Sequence, residues 1–176
     1  SYFFCYFCTL MLENAFQLKD LLKEPKQIVI TTHKGPDGDA MGSSLAMFHF
    51  LKQLGHSVNV ITPNGYANFL HWMPGNNDVL VYEESKEYAQ RITNNAQVIF
   101  LMDFSHISRI SDFAETVSDA DAVKILIDHH QDPDISIADI IFSDTQASST
   151  AQLVYEIIES MNLTAYLNRI IAECLY

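Results

Sequence analysis

The sequence predicts an α/β domain with a doubly wound, mostly parallel sheet and helices on both of its faces. Short apolar segments rich in β-branched residues alternate with longer segments whose apolar residues recur at helical spacing. Such alternation is typical of parallel strands connected by helices. The chain has 176 residues, of which 48% are hydrophobic, so it is long enough to bury the core of one such domain. We therefore expect one compact unit.

Five strands are expected, because five short apolar runs are bounded by polar or turn-forming residues. They cover residues 27–32, 57–62, 98–102, 124–127 and a short piece of 135–142. The first run, QIVITT, is typical of a strand that is buried on both faces of a parallel sheet. The polar segment HKGPDGD follows it directly, so we expect this strand to end in a loop.

Six helices are expected, because apolar residues between the strands recur three and four positions apart. They cover residues 12–23, 40–54, 84–94, 110–116, 150–161 and 165–175. Pro25 ends the first helical pattern, and Gly55 closes the second in the manner of a helix C-terminus. Strands and helices thus alternate along most of the chain.

The charge of the chain limits its partners. Its 10 basic and 22 acidic residues give a formal charge of −12, which repels a nucleic-acid backbone. We therefore expect no broad binding of duplex DNA. If the substrate is a phosphate ester, bound cations must supply the attraction, because a metal ion is often the largest charge in its site.

The N-terminal residues predict neither export nor a membrane anchor. The apolar run over 2–12 is far shorter than the roughly 20 residues that cross a bilayer, and no basic residue precedes it. We interpret residues 1–11 as an extension in front of the domain. Cys5, Cys8 and Cys174 form neither an even set nor a zinc-binding pattern, so we expect ordinary thiols, no disulfide framework and a cytoplasmic location.

Side chains that can bind metal follow three of the expected strands. They are His33, Asp37 and Asp39 after the first strand, Asp103 after the third, and Asp128, His129 and His130 after the fourth. Ligands in open α/β sheets bind beyond the carboxyl ends of the strands. Each cluster also has an ordinary explanation as turn chemistry, a helix N-cap or surface histidines. Because all three explanations would have to coincide at three strand ends, we favour one shared metal site.

Three motifs point to a family. The segments HKGPDGDAMGSS, LMDFS and IDHH resemble, in order and spacing, the first three motifs of the DHH phosphoesterases. This resemblance spans about residues 27–161. The segments NFLHWMPG and SDTQASSTAQLVYEII are similar to stretches of the bacterial oligoribonuclease and phosphoadenosine-phosphate phosphatase group. The resemblance implies a DHH-type catalytic domain over residues 12–176.

The resemblance also implies two divalent cations, usually manganese, with magnesium or cobalt as alternatives. It assigns the first ion to His33, Asp37 and Asp103. It assigns the second ion to Asp39, Asp103 and His129, so that Asp103 bridges the two ions. Such a pair of ions lowers the pKa of a shared water, and the family chemistry implies that the bridging hydroxide attacks phosphorus.

The remaining residues of the third motif have expected roles beside the metals. His130 is expected to face the substrate phosphate, as a cation or as a proton donor to the leaving oxygen. Asp128 is expected to orient His129 or its loop from behind the metal ligands.

Three hydroxyl residues precede the helix predicted over 150–161: Ser148, Ser149 and Thr150. Free N–H groups at a helix start can bind a phosphate, but simple N-capping explains these residues equally well. Both roles stay open. His49, His56 and His71 fall at no strand end and are assigned no role in the site. Arg109, six residues after Asp103, could reach a phosphate, but an exposed arginine at a helix start is the commoner case, so it is left out of the site.

The family resemblance implies hydrolysis of short single-stranded oligonucleotides, of a nucleotide phosphomonoester such as phosphoadenosine phosphate, or of both. Two alternatives stay open: a manganese-dependent inorganic pyrophosphatase, and a truncated relic that binds metal or nucleotide without turnover. The fourth motif of the family and its C-terminal substrate-binding domain have no counterpart in these 176 residues. We therefore expect a catalytic domain that is incomplete at its C-terminal end. The sequence predicts no oligomeric state.

Overall fold

The computed structural model describes the backbone of residues 2–176 and the side chains of residues 11–176. The side chains of Cys5 and Cys8 lie outside the described residues, and so do most of those in the predicted extension over 1–11. The first helix, α1, covers Tyr2–Leu21 and thus begins before residue 12, where the apolar periodicity predicted its start. The division of the chain at residue 12 stays a prediction.

The centre of the fold is a sheet of six strands that are all parallel. The strands are β1 (Gln27–Thr32), β2 (Ser57–Thr62), β3 (Leu80–Val81), β4 (Val98–Met102), β5 (Val123–Asp128) and β6 (Ile140–Ser143). Their order across the sheet is β3-β2-β1-β4-β5-β6. The predicted doubly wound parallel sheet is confirmed, and the two-residue strand β3 is an addition to the five expected strands.

Five more helices connect or follow the strands. They are α2 (Gly38–Gln53), α3 (Lys86–Asn94), α4 (Phe113–Asp119), α5 (Thr150–Ser160) and α6 (Arg169–Leu175). Two predicted helices begin later than expected, because 3-10 turns at Ile107–Ile110 and Thr164–Tyr166 precede α4 and α6. The predicted strand over 135–142 is shortened in the same way, since Ile135–Ile137 is a 3-10 turn in front of β6.

The sheet is covered on both faces, as predicted. Side chains alternate along β1, so that Ile28 and Ile30 belong to one core cluster whereas Val29 belongs to the other. Residues of α1, α2, α5 and α6 complete the first cluster, and residues of α3 and α4 complete the second. Among the described residues, no helix combines the length and the apolar character needed to cross a membrane.

The strand order fixes where a site can form. The chain order reverses between β1 and β4, which are neighbours in the sheet although β2 and β3 separate them in sequence. Such a switch point opens a crevice beyond the carboxyl ends of the strands. The predicted polar clusters follow β1, β4 and β5, which are three adjacent strands.

Gly42 allows α2 and α6 to pack at close range. A Cβ atom at this position would lie 2.5 Å from the backbone oxygen of Cys174. A backbone atom cannot rotate away as a side chain can, so Gly42→Val is expected to lower the free energy of unfolding by about 2–3 kcal/mol. Urea denaturation measures the change. Gly65→Val is the matched control, because a Cβ there meets nothing within 4 Å; equal losses in both variants would contradict the packing explanation.

His56 lies at the opposite end of the sheet from the polar clusters, just before β2, and is expected to make stability depend on pH. Its Nδ1 accepts a hydrogen bond from the Lys26 amide at 3.2 Å, and its Nε2 is buried without a partner. Burial, aided by the charge of Lys26, lowers the pKa of His56 below 6.5. The unfolded state therefore binds this proton first, and the contribution of His56 is present above about pH 6.5 and is lost as the pH falls.

The expected result is that the unfolding free energy of the wild type falls more steeply from pH 7.5 to 5.5 than that of His56→Asn. Asparagine can still accept from the Lys26 amide but carries no titrating group. Denaturation at both pH values measures the difference. Parallel pH dependences, or an NMR titration of His56 above 6.5, would contradict the assignment.

Candidate metal centre

His33 directly follows β1, and its ring is directed at two carboxylates. The residue is buried, and its Nδ1 donates to the carbonyl of Lys34 at 3.1 Å. Its Nε2 lies 3.6 Å from Oδ2 of Asp103 and 4.0 Å from Oδ1 of Asp37. With the ring proton on Nδ1, the Nε2 lone pair faces carboxylate oxygens, which is stable only when a proton or a cation lies between them.

Asp37 and Asp39 stand at the start of α2. Oδ1 of Asp37 caps this helix by accepting from the amides of Asp39 and Ala40, both at 3.0 Å. The carboxylate of Asp39 reaches across to the start of α5, where Oδ2 accepts from the Thr150 amide at 2.8 Å and Oδ1 from the Ala151 amide at 2.9 Å. The two carboxylates are therefore held in fixed positions by two different helices.

Asp103 lies at the centre of the cluster, where the chain leaves β4. Its backbone has a φ of 63°, which is uncommon for a residue other than glycine and marks local strain. The residue is only 2% exposed, its amide donates to the Ile127 carbonyl at 2.9 Å, and its Oδ1 accepts from the Thr150 hydroxyl at 2.8 Å. The structure thus presents a buried carboxylate at the switch point, although its backbone conformation is unfavourable.

The third motif follows β5. Nε2 of His129 lies 3.6 Å from Oδ2 of Asp39 and 3.7 Å from Oδ1 of Asp103. His130 instead directs Nδ1 at Oδ1 of Asp128, at 2.7 Å. The expectation that Asp128 orients His129 or its loop stays a prediction; in the structure the buried carboxylate of Asp128 contacts His130, which belongs to that loop.

Two overlapping groups of ligands result. Ligand atoms of His33, Asp37 and Asp103 lie within 4.8 Å of one another, and so do those of Asp103, His129 and His130. Asp103 belongs to both groups. This geometry agrees with a carboxylate shared between two ions. The assignment of each residue to an ion stays a prediction, since His130 rather than Asp39 is part of the second group.

The electrostatics of the cluster favour a cation. Burial, reinforced by the negative charge of Asp103, raises the pKa of Asp39. The interaction with Asp103 raises the pKa of His33 against the opposing effect of burial. Within residues 11–176, only histidines lie within ion-pair distance of Asp37, Asp39 and Asp103.

The second carboxylate oxygen of Asp128, Oδ2, is buried and has no hydrogen-bond partner. Buried carboxylate oxygens normally have one.

The donor types of the centre indicate which metals it could bind. Imidazole nitrogens and carboxylate oxygens are the donors that divalent transition metals and manganese prefer. The residues of the centre therefore fit a divalent cation.

The residues at the start of α5 act mainly as caps. Oγ of Ser149 accepts from the Gln152 amide at 3.1 Å, and Ser148 donates to the Gln152 side chain. The amides of Thr150 and Ala151 already donate to Asp39. The first three amides of α5 thus have partners, which favours capping over phosphate binding. Thr150 supports two carboxylates of the centre from behind.

Other polar residues stay outside the centre. His49 contacts the Pro74 carbonyl at 2.9 Å through Nε2, and the ring of His71 packs edge-on against Tyr66. Burial raises the pKa of Cys174 to about 11, so its thiol stays protonated at neutral pH and is a poor ligand or nucleophile.

Several known proteins are similar to this chain in sequence. The DHH family, N-terminal domain, matches residues 27–176. Cyclic-di-AMP phosphodiesterase GdpP of Bacillus subtilis (strain 168) is 26% identical over 167 residues, which cover 90% of this chain and 25% of GdpP. The bifunctional oligoribonuclease and PAP phosphatase NrnA of the same organism is 28% identical over 153 residues, which cover 85% of this chain and 44% of NrnA.

A solved protein structure has the same fold as this chain. The crystal structure of an exopolyphosphatase-related protein from Bacteroides fragilis has a TM-score of 0.91 and 37% identity, and the match covers 93% of this chain and 48% of that protein. The chain thus spans between a quarter and a half of the length of these relatives.

Proposed function

This chain belongs to the DHH family, and we propose that it is the catalytic part of a metal-dependent hydrolase of phosphoric esters. The observation that carries the proposal is the position of Asp103, a buried carboxylate that two groups of possible ligands share. A carboxylate that lies between two groups of ligands can hold two metal ions close together, as a two-metal site needs. The names of GdpP and NrnA, both phosphoric ester hydrolases, support the reaction class.

The proposed substrates are short single-stranded oligonucleotides, a nucleotide phosphomonoester such as phosphoadenosine phosphate, or both. NrnA is named for both activities. The formal charge of −12 argues against duplex DNA. A cytoplasmic location stays a prediction from the sequence.

The proposed ligands of a first ion are His33, Asp37 and Asp103, and those of a second ion are Asp39, Asp103 and His129. Manganese is the proposed metal, with magnesium and cobalt as alternatives. When bound, two such ions would lower the pKa of a shared water and would stabilise the attacking and leaving oxygens of a displacement at phosphorus. Thr150 keeps Asp103 in place through its hydroxyl and Asp39 through its amide.

His130 is the proposed proton donor to the leaving oxygen. Its side chain is 46% exposed, whereas Asp128 beneath it is fully buried. The hydrogen bond between Nδ1 and Asp128 fixes the ring and leaves Nε2 as the free nitrogen. The nitrogen nearest to Asp103 is also Nδ1, at 3.8 Å, so Nε2 points away from the shared carboxylate. This orientation suits a group that serves the substrate rather than an ion.

The proposed function is tested by hydrolysis assays on a triribonucleotide, on phosphoadenosine phosphate and on pyrophosphate, with manganese and with a chelator. The 176-residue chain and the whole product of its gene are assayed side by side. We expect manganese-dependent release of mononucleotide or phosphate from the first two substrates. Turnover of pyrophosphate alone would favour a pyrophosphatase, and absence of turnover at both lengths would contradict the proposal and favour the relic.

A further inference from the structure

Two aromatic side chains are exposed beside the metal centre. Phe69 and Trp72 are 73% and 65% exposed, whereas Leu70 and Met73, their neighbours in sequence, are buried in the core. The 3-10 turn Asn68–Leu70 places this segment with one side in the protein and one side in solvent. The two aromatic rings therefore belong to an outward side that the buried neighbours anchor.

The segment that carries these rings is held by hydrogen bonds. The Pro74 carbonyl contacts Nε2 of His49 on α2 at 2.9 Å, and within the segment the Met73 amide donates to the Leu70 carbonyl at 3.2 Å. The Tyr66 hydroxyl donates to Oδ1 of Asn76 at 2.8 Å. Exposed apolar groups that lie next to one another mark a binding surface more often than single scattered side chains do.

A cavity joins this surface to the metal centre. It has a volume of about 410 Å³, and its lining includes Phe69, Trp72, Asp39 and Ala151 together with C-terminal residues such as Glu173 and Tyr176. Asp39 is a proposed metal ligand, and Ala151 donates its amide to Asp39. A cavity of this size is within the range of small-molecule sites, so a ligand whose phosphate lies at the metals can extend towards the two rings.

We propose that Phe69 and Trp72 form a stacking platform for a nucleobase of the substrate whose phosphate lies at the metal centre. This inference rests on the proposed function and specifies its substrate class as nucleotides. Stacking on an aromatic ring needs no charge and accepts every base, which suits a chain with a formal charge of −12. The platform supplies attraction for the base while the metal ions supply attraction for the phosphate.

The chain offers a direct probe, because Trp72 is its one tryptophan. In the manganese-loaded 176-residue chain, adenosine 5′-monophosphate is expected to quench the fluorescence of Trp72. Ribose 5-phosphate, which has the same phosphate but no base, is expected to leave the fluorescence unchanged at equal saturation of the metal centre. If manganese binds and neither compound changes the fluorescence, the platform is overturned.

Variants test the same platform through kinetics. Phe69→Ala and Trp72→Ala are each expected to raise KM for a triribonucleotide about 5-fold to 150-fold, the range for loss of one stacked base, with kcat nearly unchanged. Phe16→Ala is the matched control, because Phe16 is 53% exposed on α1 and does not line the cavity. Its KM is expected to equal that of the wild type.

The outcomes separate the platform from the proposed function. Hydrolysis with unchanged KM in both platform variants would overturn the platform and leave the proposed function standing. Unchanged KM together with a lower molar mass of the variants in light scattering would show that the rings contact a second copy of the chain, which also overturns the platform. A lack of manganese binding and of turnover on every substrate would remove the proposed function itself.

Discussion

Asp103→Asn is expected to abolish the stabilisation that manganese gives to the wild-type chain. Ions that bind only the folded state add about 2.7 kcal/mol at a hundredfold excess over Kd, which corresponds to roughly 5–10 °C in Tm for a chain of this size. Asp103 belongs to both groups of ligands, so its replacement is expected to weaken the binding of both ions. A thermal melt with and without millimolar manganese measures the shift.

The metal-free variant provides an internal check. Asparagine keeps the shape of Asp103 and can still accept from the Thr150 hydroxyl, while it removes the negative charge that contributes to the raised pKa of Asp39. The Tm without metal is therefore expected to stay the same or to rise. Asp144→Asn is the matched control, because Asp144 follows β6 at the same edge of the sheet and belongs to neither group. A full manganese shift in Asp103→Asn would contradict the assignment.

His130→Ala is expected to lower kcat by about 10²–10⁴-fold and to keep most of the manganese shift. The hydrogen bond from Nδ1 to Asp128 leaves Nε2 free for the substrate, whereas Nε2 of His129 faces Asp39 and Asp103. His129→Ala is accordingly expected to lose much of the shift. Parallel melting curves and rates on a triribonucleotide separate the two histidines.

His56→Asn serves as the control for this comparison, because His56 lies before β2 at the opposite end of the sheet. It is expected to keep both kcat and the manganese shift at neutral pH. Loss of the shift in His130→Ala to the same extent as in His129→Ala would show that His130 is a metal ligand. The proposed ligand set of the second ion would then contain His130 in place of Asp39.

The strands were largely predictable because burial on both faces of a parallel sheet selects continuous β-branched runs. The bounds of β1, β2 and β4 agree with the prediction. The strand β3 was missed because two residues that pair only with the end of β2 leave no periodicity. The late start of α4 was missed for a local reason: the backbone of Ser111, with a φ of 54°, separates a 3-10 turn from the helix.

The candidate metal centre was predictable as a set of strand ends but not as a network of contacts. Polar residues that follow buried parallel strands meet at one edge of the sheet, so the proximity of His33, Asp103 and His129 follows from the fold. The bond from the Thr150 amide to Asp39 joins residues 111 positions apart. A contact between residues so far apart in sequence produces no local sequence pattern. The hydrogen bond between Asp128 and His130 likewise depends on how the chain turns after β5.

Diffraction from a crystal of this protein grown with manganese, measured at the manganese absorption edge, shows directly whether Asp103 is shared by two ions. We expect two anomalous peaks about 3.5–4 Å apart, with the carboxylate of Asp103 between them and with His33 and His129 on opposite ions. A single peak, or two peaks of which Asp103 is not a shared ligand, would contradict it.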